Sequence, residues 1–197
     1  PNETYTITGK GDEDTVEWRD SRYWYIKNVL SSQNVDIETV KISYNVDVEL
    51  DESTYVIIIG EEAYHSGGTY YDSARVEITL ETATGSATLI YYVRSASYGK
   101  TCDSTAHHVI FGKDNGYFAL VSPIVHDYQI AYNTQDTPTK VTQVDLICRV
   151  KNATDLTDEW AETKFYCVAF ITSPDVKINT LSINQTDPVL NLPADVI

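Results

Sequence analysis

Residues 40–50 read VKISYNVDVEL, and this stretch decides the fold class. Val40, Ile42, Tyr44, Val46, Val48 and Leu50 share one parity, while Lys41, Ser43, Asn45, Asp47 and Glu49 share the other. Successive side chains of a strand point to opposite faces, so the pattern predicts a strand with one face in a core and one in water. A helix would scatter the same apolar residues around its axis. Eleven residues at strand rise span roughly 36 Å, about twice the common strand length.

The flanking sequence continues in the same style. Residues 54–59, TYVIII, form an apolar run of the sort covered on both faces, and the corner Asp51-Glu52-Ser53 predicts a hairpin with the long strand. Residues 74–80 alternate again, and Thr84-Gly85-Ser86 turns them into 87–93, a second hairpin. Asn115-Gly116, between 108–111 and 117–121, is the strongest short hairpin signal in the chain. Aromatic and β-branched content makes 22–30, RYWYIKNVL, a strand. Residues 126–132 are expected as a short strand, and 141–150 with 164–171 as the last core pair, joined by a polar loop that holds at most one helical turn. About eight core strands result, with no helix long enough for a βαβ crossover, which predicts an all-β, antiparallel β-sandwich or jelly roll.

The ends read differently. Residues 1–20 carry one alternating stretch, Thr4-Tyr5-Thr6-Ile7-Thr8, then the acidic turn Gly9-Lys10-Gly11-Asp12-Glu13-Asp14. They are expected as an N-terminal arm. Residues 21–172 are expected as a single β-sandwich domain, since all-β folds reach this size undivided. After Ser173-Pro174, residues 173–197 contain Pro188 and Pro193, which argue against a central strand and predict a C-terminal arm.

Composition narrows the partners. The formal charge is −15, and Lys and Arg are scattered singly, so direct nucleic-acid binding is disfavoured. No stretch has the roughly 18 apolar residues of a membrane-spanning helix. There are 15 Tyr against 4 Phe and no Met, which favours wet, hydrogen-bonding contact surfaces over an oily groove. Three cysteines, Cys102, Cys148 and Cys167, cannot all pair within the chain; Cys148 and Cys167 lie in apolar runs and are expected in the core. The glycosylation-type triplets at Asn2, Asn152 and Asn184 favour an extracellular history, common as they are by chance.

Reactive groups are not concentrated anywhere. His107 and His108 are adjacent, so on a strand they face opposite ways and cannot share an ion, and His65 and His126 lie far off. Ser66 follows His65, but there is no G-x-S-x-G elbow, and no cysteine-nucleophile signature surrounds Cys102. Paired carboxylates cannot be picked out among 29 acids. No cofactor is expected. Calcium is the one candidate ion, at Asp12, Glu13 and Asp14, although these lack the spacing of a dedicated loop and solvated turn carboxylates account for them better.

Aromatic clusters supply the candidate binding and interface residues: Trp18, Tyr23, Trp24 and Tyr25 near the N-terminus, and Tyr64, Tyr70 and Tyr71 with Asp72 in a polar loop. Such rings pack on a core or in a subunit contact, or serve as platforms for sugar rings. Strand-like ends can pair with a neighbour's sheet edge. The sequence therefore predicts a non-enzymatic, self-assembling structural subunit of a capsid, other virion or extracellular surface filament. Its partners would be copies of itself or other subunits. The alternative is a secreted carbohydrate-binding module with Trp24 or Tyr70 as the glycan platform.

Overall fold

The alternation in residues 40–50 does build a long strand, Ile37–Glu49, of 13 residues. The computed structural model describes residues 4–31, 37–65, 73–94, 99–151 and 159–172. In chain order the strands are β1 (Tyr5–Thr8), β2 (Thr15–Arg19), β3 (Tyr23–Val29), β4 (Ile37–Glu49), β5 (Thr54–His65), β6 (Ala74–Thr82) and β7 (Gly85–Arg94), then β8 (Lys100–Asp103), β9 (His108–Asp114), β10 (Tyr117–Pro123), β11 (Lys140–Lys151) and β12 (Trp160–Thr172). A single helix among the described residues, α1 (Ile124–Tyr132), lies between β10 and β11.

The protein is all-β, as expected, but its strands form one continuous, strongly curled sheet and not two separate ones. Their order is β1-β4-β11-β6-β7-β9-β10-β5-β12-β3-β2, with β8 on the side of β9. Among the described strands all pairings are antiparallel except β7 with β9. The halves join at the β9–β10 turn, where Asn115 and Gly116 both take positive φ, 49° and 87°. That is the two-residue turn whose twist suits a hairpin. Only two residue pairs of β9 and β10 remain in register, and β10 then runs alongside β5. Bulges at Val141/Gln143 in β11 and Phe165/Cys167 in β12 bend the ladders further.

Curling brings the inward faces of both halves around one core. Val40, Ile42, Val76, Ile78, Leu80, Leu89 and Tyr91 meet Trp24, Ile26, Val56, Ile58, Phe118 and Phe165 there. Cys148 on β11 donates its thiol to the Ala161 carbonyl on β12 at 3.4 Å, directly across that core. Phe118 sits between Phe111 and Phe165, edge-on to each.

Several expected pairings change. The 74–80/87–93 hairpin forms as β6–β7. The expected β4–β5 hairpin does not, because the chain crosses at Asp51 from one half of the sheet to the other. Asp51 Oδ1 takes the Ser53 backbone N–H at 2.8 Å, and β5, apolar on both faces, becomes a strand paired on both sides, by β10 and β12. Likewise β11 and β12 face each other across the core without sharing a ladder.

Residues 126–132, expected as a strand, belong to α1. Ile124, Val125, Tyr128 and Ala131 are buried at helical spacing, and Asn133 closes the helix in the left-handed conformation.

The first twenty residues, expected as an arm, supply the two free edges of the chain's own sheet. Tyr5–Thr8 pairs with β4 and Thr15–Arg19 pairs with β3. Between them Gly9, at φ +75°, passes so close to β4 that a Cβ would lie 2.0 Å from the Thr39 carbonyl oxygen. The expected C-terminal arm, 173–197, lies outside the described residues.

Candidate functional site: an aromatic and carboxylate face

Strand parity sorts the side chains of the β10-β5-β12-β3-β2 half into two sets. Trp24, Ile26, Thr163, Phe165, Ile58 and Phe118 are buried in or beside the core. The opposite parity carries Tyr23, Tyr25 and Lys27 on β3, Trp160, Glu162 and Lys164 on β12, Glu61 on β5, Tyr117 on β10, and Glu17 and Arg19 on β2.

Register aligns these groups. Tyr117 stands opposite Glu61, Glu61 opposite Lys164, Lys164 opposite Tyr25, and Tyr25 opposite Glu17. One row of directly facing side chains thus crosses five strands, about 19 Å at ordinary strand spacing. Glu162 stands opposite Ala63, so it is the diagonal neighbour of Glu61 across the β5–β12 ladder. Diagonal neighbours have Cα atoms about 7–8 Å apart, with Cβ atoms somewhat closer.

The row is tied together by specific contacts. Lys164 Nζ donates to Glu61 Oε2 at 3.0 Å, and Tyr166 Oη donates to the same oxygen at 2.9 Å. Tyr25 Oη donates to Glu162 Oε2 at 2.8 Å. The Arg19 guanidinium lies 3.6 Å from the Tyr25 ring centroid and Arg19 Nε donates to Glu17 at 2.8 Å. Tyr23 and Tyr166 meet edge to face at 5.2 Å, and Lys27 stands 5.2 Å from the Trp160 ring centroid. The bulge beside Phe165 lets Tyr166 reach Glu61 while Phe165 stays in the core.

Glu61 and Lys164 keep 23% and 26% of their side-chain surface exposed, so a ligand can reach them. Burial and the bond to Glu162 push the Tyr25 hydroxyl up to about 12. Burial and Glu61 raise Tyr166 in the same way. Both phenols therefore stay protonated donors at neutral pH.

The N-terminal aromatic cluster is split between the two faces. Tyr23 and Tyr25 belong to this row, while Trp18 and Trp24 pair on the inner side with ring centroids 5.6 Å apart. Trp24 is only 5% exposed, which rules it out as a glycan platform. Tyr64 lies in β5; Tyr70, Tyr71 and Asp72 lie outside the described residues. Asp14 is buried and committed to the backbone, taking the N–H groups of Gly11 and Val29 at 2.7 Å each, while Asp12 and Glu13 are exposed. Among the described residues no group of three or more His, Cys, Asp and Glu side chains is placed to hold a metal.

Other reactive-looking groups serve the fold. Burial, then Asp127, raises the Cys102 thiol, and burial pushes Cys148 to about 12, so neither is an activated nucleophile. His107 stacks on Tyr132 at 3.9 Å and donates from Nδ1 to the Ala131 carbonyl at 2.8 Å.

Sequence reading missed Glu61, Glu162, Lys164, Tyr166, Tyr117 and Arg19, and placed Tyr64 in a loop where the structure continues β5 through His65. The signal was the alternation Trp160-Ala161-Glu162-Thr163-Lys164, with small or neutral groups inward and large polar or aromatic groups outward.

No protein-family model and no curated protein matches the chain. Solved structures do resemble it. The xyloglucanase domain of NopAA from Sinorhizobium fredii, in complex with cellobiose, is 8% identical, with 86% of this chain and 91% of that one covered and a TM-score of 0.48. Endoglucanase cel12A from Rhodothermus marinus is 9% identical over 86% and 92%, at 0.49. The family 11 xylanase from Neocallimastix patriciarum is 8% identical over 86% and 100%, at 0.42. These are glycoside hydrolases, not capsid, virion or filament proteins. The expectation of a non-enzymatic, self-assembling structural subunit is corrected accordingly, together with the expectation that the chain is not an enzyme.

Proposed function

We propose that the outward face of β10-β5-β12-β3-β2 binds a polysaccharide chain and hydrolyses its glycosidic bonds, with Glu61 and Glu162 as the reacting carboxyl pair. The row Tyr117, Glu61, Lys164, Tyr25 and Glu17, with Glu162 diagonal to Glu61, carries this reading. Sugar rings stack on flat aromatic faces, here the half-buried Tyr23, Tyr117 and Trp160, while carboxylates take their hydroxyls; Tyr25, buried beneath Arg19, serves to hold Glu162. Glycoside hydrolysis needs two carboxyl groups on one face, one to protonate the leaving oxygen and one to attack the sugar or activate water. A diagonal cross-strand pair supplies that separation.

The environments of the two carboxylates suit different roles. Glu61 has an ammonium and a phenol donating to one oxygen, which holds its carboxylate in place as the nucleophile or base. Glu162 has a single phenol donor and fits the proton donor. In this reading the curled sheet is a jelly roll whose sugar-binding face is this one, strands β1 to β12 act as one domain, and the setting is extracellular, where polysaccharide is found. The testing experiment is release of reducing ends from β-linked glucan and xylan, the classes that the similar structures' names describe, by the full chain and by its Glu61→Gln and Glu162→Gln variants.

A further inference from the structure

A second site lies on the other side of the same strands. Between β4 and β11 on one side and β3 and β12 on the other is a cavity of about 550 Å³. Its walls include Trp24, Tyr44, Val46, Leu146, Phe165 and Val168, and none of its lining residues is charged. Protein interiors are close-packed, with few voids larger than a water molecule. This one falls within the usual range of small-molecule sites and is several times the size of a cavity known to hold benzene.

Its polar groups face one another. Trp24 Nε1 donates to Tyr44 Oη at 2.5 Å, so the indole donor is spent before any ligand arrives. At the margin the two free sheet edges meet, each bringing one ring to Trp24: Tyr5 from β1 at 4.9 Å and Trp18 from β2 at 5.6 Å. Both rings are 39% exposed. The cavity is therefore bordered on that side by two half-exposed aromatics from the edges of the curl. Val46 and Val168 are only half-buried.

We propose that this cavity binds one elongated, uncharged apolar molecule, such as a long-chain alcohol or a fused-ring hydrocarbon. Among the described residues the walls offer no counter-ion to an anion or a cation, and the chain's net charge of −15 disfavours an anion further. The site lies on the inner side of β3 and β12, opposite the outward glycan face, and Tyr166, which holds Glu61 on that face, also lines it.

Titration of the full chain with the neutral probe N-phenyl-1-naphthylamine tests it. Trp18 and Trp24 line the cavity while Trp160 stands outside, so tryptophan emission falls as the probe fills the site. The result expected is saturable binding of one probe per chain, displaced by a long-chain primary alcohol and not by a soluble oligosaccharide. Filling the mouth with Val46→Phe and Val168→Phe is expected to weaken the probe about tenfold, with glycan hydrolysis unchanged. If the double variant does not fold, Val168→Phe alone reads the same loss at a half-buried position. Absence of saturable binding by the full chain, or equal affinity in the filled variants, overturns the proposal.

Discussion

Glu61 and Glu162 lie diagonally across the β5–β12 ladder, each held by a tyrosine of its own, Glu61 by Tyr166 at 2.9 Å and Glu162 by Tyr25 at 2.8 Å. Replacing either phenol leaves the ring and removes only the donor. Tyr25→Phe and Tyr166→Phe should therefore keep the fold, with a stability change of about 1 kcal/mol each. Polysaccharide turnover should fall more in each than stability explains. Comparing urea midpoints with initial hydrolysis rates separates the two effects.

Alkaline pH should weaken the folded state through the same phenols. Tyr25 is raised from 10.0 to about 12, and Tyr166 and the fully buried Tyr91 are raised as well. The folded chain then holds protons that the unfolded chain gives up, so this contribution is whole below about pH 10 and is lost as pH rises through the folded values. The urea midpoint should decline from pH 10 upward. Tyrosinate absorbance should show one group of tyrosines ionising near the ordinary value and another later. In Tyr25→Phe the decline should be shallower.

Gly60 is a packing glycine. A Cβ there would lie 2.4 Å from the Lys164 carbonyl oxygen and 2.4 Å from Phe118 Cζ, one of them immovable backbone. Gly60→Ala should destabilise by about 1–3 kcal/mol or more, as overpacking does, and it should shift β5 against β12 beneath Glu61. Chemical denaturation measures the first, and loss of hydrolysis beyond the stability loss reports the second.

Asp127 on α1 is wholly buried and paired with Lys100 of β8, and Tyr91 donates to it at 3.0 Å. Lys100 also donates to Ser122 at 2.7 Å. Lys100→Met strands a buried carboxylate and should cost about 3–5 kcal/mol. The triple replacement Lys100→Met, Asp127→Leu and Tyr91→Phe should recover most of that loss, because it also removes the buried phenol that would otherwise lose its acceptor. Thermal melts of both variants check the prediction.

These contacts show what a sequence can and cannot disclose. Two-residue alternation is local, so β4 and the β6–β7 hairpin could be read from residues 40–50 and 74–93, and Asn115-Gly116 marked the β9–β10 turn. Which strands become neighbours depends on where the chain crosses the curl, and Asp51 sends β5 away from β4 for reasons of tertiary pairing. The α1 segment was missed because its inward set includes Asp127, a charged residue whose partners are remote in sequence. The site was hidden for the same reason. Glu61 and Lys164 are 103 residues apart, and only the β5–β12 register makes them neighbours.

Release of reducing ends from β-linked glucan and xylan by the wild-type chain and by Glu162→Gln tests the central claim most directly. The account predicts measurable hydrolysis by the wild type and a loss of about 10²–10⁴-fold in the variant, with polysaccharide still bound. No hydrolysis of any polysaccharide by the wild type, or an unchanged rate in Glu162→Gln, would contradict it.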